Sequence, residues 1–173
     1  SIPAERFPRA ICNLLPEDIG VFSAEWVEDD FHPRYDVKFK EYVYRIYNSR
    51  ARSPFERDRA WHYPKHIDDD ALARMQEAAN YYCGTHDFTS FMAQGATVAH
   101  AVRTVLYADV QRHGDVIEFR VAADGFLYNM ARAMAGTVVY AAEGKIKPYE
   151  IGQILDSGNR TSAGPTVPPG GLY

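Results

Sequence analysis

The hydrophobic positions of this chain change period several times, and each change marks an element. Phe7, Ile11 and Leu14 recur at helical spacing within residues 3–15 and stop at Pro16, which predicts a short amphipathic helix. Residues 21–27 read as a strand and 30–35, which contain Pro33, as a loop. Within 37–47, Val37, Phe39, Val43 and Tyr47 share one parity while Lys40, Tyr42, Tyr44 and Ile46 share the other. At period two this is a long strand with both faces substantially covered, and Lys40 and Tyr42 point the same way.

A shorter strand is expected at 59–63. Asp68, Asp69 and Asp70 then suit the positive end of a helix dipole, with Leu72, Met75, Ala79 and Tyr82 as the buried stripe and Gly84 as the stop. Residues 87–91 form a compact turn with two aromatic anchors, and 92–101 a loop of small residues. Alternating segments at 103–112 and 116–122 flank His113, Gly114 and Asp115, a hairpin signal. An apolar, Ala-rich helix is predicted over 126–142, closed by Gly144, and a last short helix from Pro148 through Leu155, ended by Gly158. Residues 160–173 are too rich in Gly and Pro for regular structure. Antiparallel strands interleaved with three or four helices give an α+β domain, a mostly antiparallel sheet with helices on one face.

Composition narrows the class. A chain of 173 residues, 46% hydrophobic, buries one sizeable core, so one domain is expected. Cys12 and Cys83 are too few for a disulfide framework or a zinc site and read as buried, reduced thiols. No apolar run is long enough to span a membrane, and Ser1-Ile2-Pro3-Ala4-Glu5 has no signal-peptide character, so a soluble cytoplasmic protein is expected. The net charge of −4 opposes indiscriminate polyanion binding. Acids nevertheless crowd the early part, and Arg34, Lys38, Lys40, Arg45, Arg50, Arg52, Arg57, Arg59 and Lys65 follow with few acids between. Such a stretch fits a phosphate-binding groove and, on charge alone, a solvated face equally well.

Several chemistries recede. Pro64 between His62 and His66 removes the helical geometry that a zinc-binding pair at this spacing uses. Ser90 and Ser162 lack a nucleophile-elbow context, and no Gly-rich phosphate loop follows a strand.

Five segments remain: DDFHPRYDVKFKEYVYRIYN (29–48), GTHDFTSF (84–91), the strand start Arg103-Thr104-Val105, GFLYNMARAMAGT (125–137) and NRTSAGPTVPPGGLY (159–173). In order and spacing they resemble the tRNA pseudouridine synthase A family over nearly the whole chain. The resemblance implies an α/β sandwich of two ferredoxin-like halves, of which residues 1–173 supply the second. It implies isomerisation of uridine to pseudouridine in the anticodon arm of tRNA by a homodimer, with no cofactor and no obligatory metal. In the family the catalytic aspartate lies in a motif of the form RTDAGVHA, which is absent here; Arg160-Thr161-Ser162-Ala163-Gly164 imitates it with Ser in place of Asp. A fragment that is inactive by itself is therefore expected, the aspartate lying on a missing N-terminal half.

Residue by residue, Tyr42 resembles the tyrosine that stacks on the target base and moves a proton, a role suited to a flipped-out uridine. Arg132 resembles the arginine that pairs with the catalytic aspartate, and Leu172 the apolar residue beside the base. Phe31, His32, Pro33, Arg34 and Tyr35 match an RNA-contacting loop. Gly95, Ala96, Thr97, Val98 and Ala99 match a second one, without the polar or basic residues the family usually has there. Lys40 and Arg103 are candidate phosphate or active-site neighbours. The competing readings are an RNA-binding module without catalysis and a plain interaction domain.

Overall fold

The computed structural model describes residues 2–33, 35–93, 95, 98 and 100–173. The chain divides into two compact units, Ser1–Val37 and Lys38–Tyr173.

In the first unit a 3-10 turn, Ala4–Arg6, leads into α1, Phe7–Cys12, shorter than its apolar spacing predicts. The strand expected at 21–27 is absent, because no described residue of the unit pairs with it. The Val21 N–H instead reaches the Cys12 sulfur at 3.2 Å. Without a ladder the side chains stay outside, and Phe22 is 98% exposed and Trp26 81%.

The second unit holds β1 (Lys40–Tyr47), β2 (Trp61–His62), α2 (Asp69–Asn80), β3 (Gly84–Asp87), β4 (Val102–His113), β5 (Val116–Ala123), α3 (Met130–Ala142) and α4 (Glu150–Ser157). The sheet runs β2-β1-β5-β4-β3, antiparallel throughout except for the parallel β1–β2 pair. The α+β expectation holds. The β4–β5 hairpin turns on Gly114 at φ 59°, the positive angle a two-residue loop requires, with His113 opposite Val116. Asp68 caps α2, its carboxylate accepting from the Ala71 N–H at 2.8 Å. Phe88 and Phe91, the two anchors of the 87–91 turn, are fully buried.

Register decides which side chains meet. Tyr44 lies opposite Phe119 and Ile46 opposite Ile117, and all four are buried beneath the helices. The other parity of β1 is not covered as the alternation predicts. It carries Glu41 and Arg45 into a charged, partly exposed array with Glu118 and Arg120, held by Arg45–Glu118 at 3.6 Å and Arg120–Glu118 at 2.6 Å. The cysteines also depart from expectation: Cys83 is exposed and Cys12 half-buried, both as free thiols.

Beyond β1, Asn48 is buried and fully bonded: its amide donates to the carbonyls of Tyr63 (3.0 Å) and Lys65 (2.6 Å), and its oxygen accepts from the Ile67 N–H (3.1 Å). Nearby, Glu143 accepts from Lys65 at 2.7 Å and from the Tyr63 hydroxyl, and pairs with Lys145 at 2.6 Å. Burial raises the Glu143 carboxyl, but Lys145, Lys65 and Tyr63 outweigh it and hold the group at about 2. A carboxyl lowered by folding stabilises above its ordinary range, and that contribution is lost as pH falls from about 4.5 towards 2. Glu143→Gln should therefore cost on the order of 1 kcal/mol at pH 7, the exposed lysine partners weakening the effect. The gap in Tm between parent and variant should narrow as pH drops through that window, and a pH-independent gap in thermal melts would refute the pairing.

Candidate active site

Three of the recognised segments converge at one end of the sheet. Tyr42 lies on the core face of β1, opposite Val121, where burial gives way to solvent; its ring meets Phe126 edge-on with centroids 4.8 Å apart. That contact explains why α3 starts at Met130 rather than at 126. Phe126 and buried Leu127 belong to an approach loop, and Asn129, at φ 60°, turns the chain into the helix. Asn tolerates this left-handed conformation better than most residues.

Arg132 follows in the first turn of α3. Its Nε donates to the Val167 carbonyl at 2.7 Å and its Nη1 to Asn129 Oδ1 at 3.0 Å. Among the described residues nothing bonds its Nη2, so one edge of a fixed guanidinium fork remains open for a planar acceptor.

The segment that holds Arg132 is itself clamped to α3. The Gly164 N–H donates to Thr137 Oγ1 at 2.9 Å, and Thr137 donates to the Ala133 carbonyl at 2.7 Å. Two glycines allow the approach. A Cβ on Gly136 would stand 1.9 Å from the Pro165 oxygen, and one on Gly164 2.7 Å from the Thr137 Cα. Arg160 closes the segment on itself, donating to the Gly164 carbonyl at 2.8 Å and to Thr166 Oγ1 at 2.9 Å. The 160–164 imitation of the aspartate motif is thus a structural latch.

Tyr44 links the parts. Its hydroxyl donates to the Pro168 carbonyl at 2.7 Å, and its backbone bridges to Leu172. Burial pushes its phenol up, and the nearby Arg132 charge offsets this only in part. Leu172, half-buried, packs against the core. The next residue, Tyr173, exchanges two 2.8 Å backbone hydrogen bonds with Val43. Tyr42, Arg132 and Leu172 are therefore all grouped about Tyr44, which sequence reading placed on the strand without singling it out. Phe126 was also passed over. The signal for both was the shared parity of β1 and the aromatic that follows Gly125.

The remaining candidates divide. Lys40, the first residue of β1, lies opposite Ala123 on the face of Tyr42 and makes no ion pair among the described residues. Arg103 is committed to its own loop: Nη1 donates to the carbonyls of Val102 (2.6 Å) and His100 (3.1 Å), and the side chain lies over Gly125. Gly95 takes φ 84° and Val98 is exposed. Arg34, Ala96, Thr97 and Ala99 lie outside the described residues. Phe31, His32, Pro33 and Tyr35 belong to the first unit, in an exposed turn where the His32 and Tyr35 rings stand 4.4 Å apart and Asp36 accepts from the His32 N–H. Among the described residues no three His, Cys, Asp or Glu side chains gather as metal ligands, and no helix is long and apolar enough to cross a membrane.

A family profile described as tRNA pseudouridine synthase matches residues 78–173. The chain is similar to tRNA pseudouridine synthase A of Thermoanaerobacter sp. (strain X514), 45% identical over 99% of the chain and 69% of that protein. It is likewise similar to the proteins of that name from Bacillus pumilus (strain SAFR-032) and Bacillus subtilis (strain 168), at 44% and 43% identity over the whole chain and 69% of each relative. On this evidence the chain belongs to the tRNA pseudouridine synthase family.

Proposed function

We propose that this chain is the C-terminal part of a cytoplasmic, homodimeric synthase that converts uridine to pseudouridine in the anticodon arm of tRNA. Tyr42 stacks on the extruded uracil and handles a proton, Arg132 pairs with the catalytic aspartate, and Leu172 packs beside the base. The reading rests above all on Arg132, whose Nε and Nη1 donate to Val167 and Asn129 while its Nη2 has no partner among the described residues. A carboxylate from outside this sequence completes the fork, and the charge pair keeps that carboxylate ionised for attack. The chain contains no RTDAGVHA-type motif, and the relatives extend beyond the matched 69%. RNA contacts are assigned to Lys40, Arg103, the 95–99 loop and the 31–35 loop, including Arg34.

Isomerisation breaks the C1′–N1 bond, joins C1′ to C5 and expels the C5 hydrogen, so tritium release from tRNA labelled at uridine C5 reports turnover. The 173-residue chain alone should release none. A chimera in which the chain replaces the matched portion of the Thermoanaerobacter enzyme should release it, and Tyr42→Phe in that chimera should slow turnover while leaving tRNA affinity near the parent's. Release by the chain alone would overturn the assignment of the aspartate, and tRNA binding by a folded chimera without turnover would favour the inactive RNA-binding module.

A further inference from the structure

The arginine-rich connection between β1 and β2, part of the basic stretch that follows the early acids, has no role in the proposed function, yet it borders the same site. Residues 50–59 carry Arg50, Arg52, Arg57 and Arg59 against two acids, Glu56 and Asp58. Glu56 is turned toward the sheet, where it pairs with Arg45 at 3.5 Å. The Arg57–Asp58 pair, at 3.4 Å, has both side chains more than 80% exposed and is weak. Among the described residues the guanidinium groups of Arg50, Arg52 and Arg59 have no partner, and all three residues are exposed. At the crest, Phe55 is 84% exposed, in a 3-10 turn (Pro54–Glu56) whose first N–H groups are capped by Ser53, which accepts from the Phe55 N–H. The same connection borders a cleft of about 460 Å³ lined by Tyr47, Arg52, Glu56, Arg57, Asp58 and His62, among others.

The connection abuts the Leu172 segment. The Tyr173 hydroxyl donates to the Arg59 carbonyl at 3.1 Å, and a Cβ on Gly170 would meet the Asp58 Cα at 3.7 Å. Trp61 opens β2 beside Ile46, four residues along β1 from Tyr42. At a rise of about 3.3 Å per residue that is roughly 13 Å, a span of a few stacked nucleotides at about 3.4 Å each.

We infer that residues 50–59 form an RNA-binding element, with Arg52 and Arg59 neutralising backbone phosphates and Phe55 stacking on an unpaired base next to the segment that enters the site. Uncommitted guanidinium groups flanking an exposed aromatic ring are the combination that single-stranded RNA selects: cations track the backbone, and the ring supplies a stacking platform that tolerates any base. An acidic protein surface would use the cations but has no use for the ring. The inference rests on the RNA-modification reading above, and its test separates the two.

Unmodified tRNA is titrated into the 173-residue chain across a salt series, using the parent, Arg52→Ala/Arg59→Ala and Phe55→Ala, all surface changes whose folding is checked by thermal melting. The double variant should flatten the slope of log affinity against log salt by about 1.4–1.8, since each lost phosphate contact removes about 0.7–0.9. Phe55→Ala should weaken binding about 5- to 150-fold with the parent's slope, because stacking releases no counterions. Parental slope and affinity in both variants would overturn the inference and leave the pseudouridine reading standing. An effect of the arginines without one of Phe55, or a polyglutamate peptide bound as tightly as tRNA and lost in the same variants, would also overturn it, in favour of a charged face or an acidic protein partner. A parent that binds no tRNA even at low salt would overturn the RNA reading of this chain along with it.

Discussion

Gly136→Ala is expected to destabilise the Lys38–Tyr173 unit by about 3 kcal/mol or more, because its added methyl makes a tighter clash than one at any other glycine. The added Cβ would stand 1.9 Å from a backbone oxygen, that of Pro165, and within 3.2 Å of Val167. The two nearest atoms, the Pro165 oxygen and carbonyl carbon, are backbone, so relief requires the 163–167 segment to lift off α3. Lifting it breaks the Gly164 bond to Thr137 and withdraws the Val167 carbonyl from Arg132. Chemical denaturation should show a lower midpoint. A midpoint within about 0.5 kcal/mol of the parent's would mean that the contact is looser than it stands here.

Arg132→Ala in the chimera is expected to reduce turnover by about 10²–10³-fold, the usual cost of removing one preorganised charge-stabilising group from a reacting centre. Without its counter-ion the aspartate is harder to ionise. Its pKa rises, and because the ionised form is the reactive one, the acid limb of the rate profile moves to higher pH. Stability falls as well, by about 1–3 kcal/mol, since the Val167 carbonyl loses its charged donor. Arg132→Lys separates the two effects. It keeps the charge and one hydrogen bond, so most of the stability should return, but the fork is lost and turnover should stay low. A full return of activity with lysine, or an unshifted pH profile in a folded alanine variant, would remove Arg132 from the catalytic role.

What could be read in advance followed from local rules. The β4–β5 hairpin was legible because Gly114 sits between two alternating runs, and α2 because three aspartates precede its stripe. The parity of β1 correctly put Tyr42 and Lys40 on one face. Residues 21–27 misled because alternation describes side chains, whereas a strand also needs a partner, and none is present among the described residues of that unit. The first residues of the α3 prediction failed because Phe126 gains more against Tyr42 than as a helical turn. Arg103 illustrates a deeper limit: its capture by the Val102 and His100 carbonyls depends on how a loop closes, which no residue spacing encodes. Tyr44, at the centre of the candidate site, was hidden for the opposite reason, since in sequence it is indistinguishable from any core tyrosine.

The two backbone bonds between Val43 and Tyr173 have a meaning for the molecule's behaviour in solution. β2 spans only Trp61–His62, so beyond Ile46 the outer edge of β1 would present bare N–H and C=O groups. Such an edge is a template on which another copy of the same strand adds and aggregation begins. The chain covers it with its own Leu172 and Tyr173, and in doing so sets Leu172 beside Tyr44. Substitutions that loosen Leu172 to widen room for a base would therefore uncover the edge as well, and loss of solubility would accompany loss of the site.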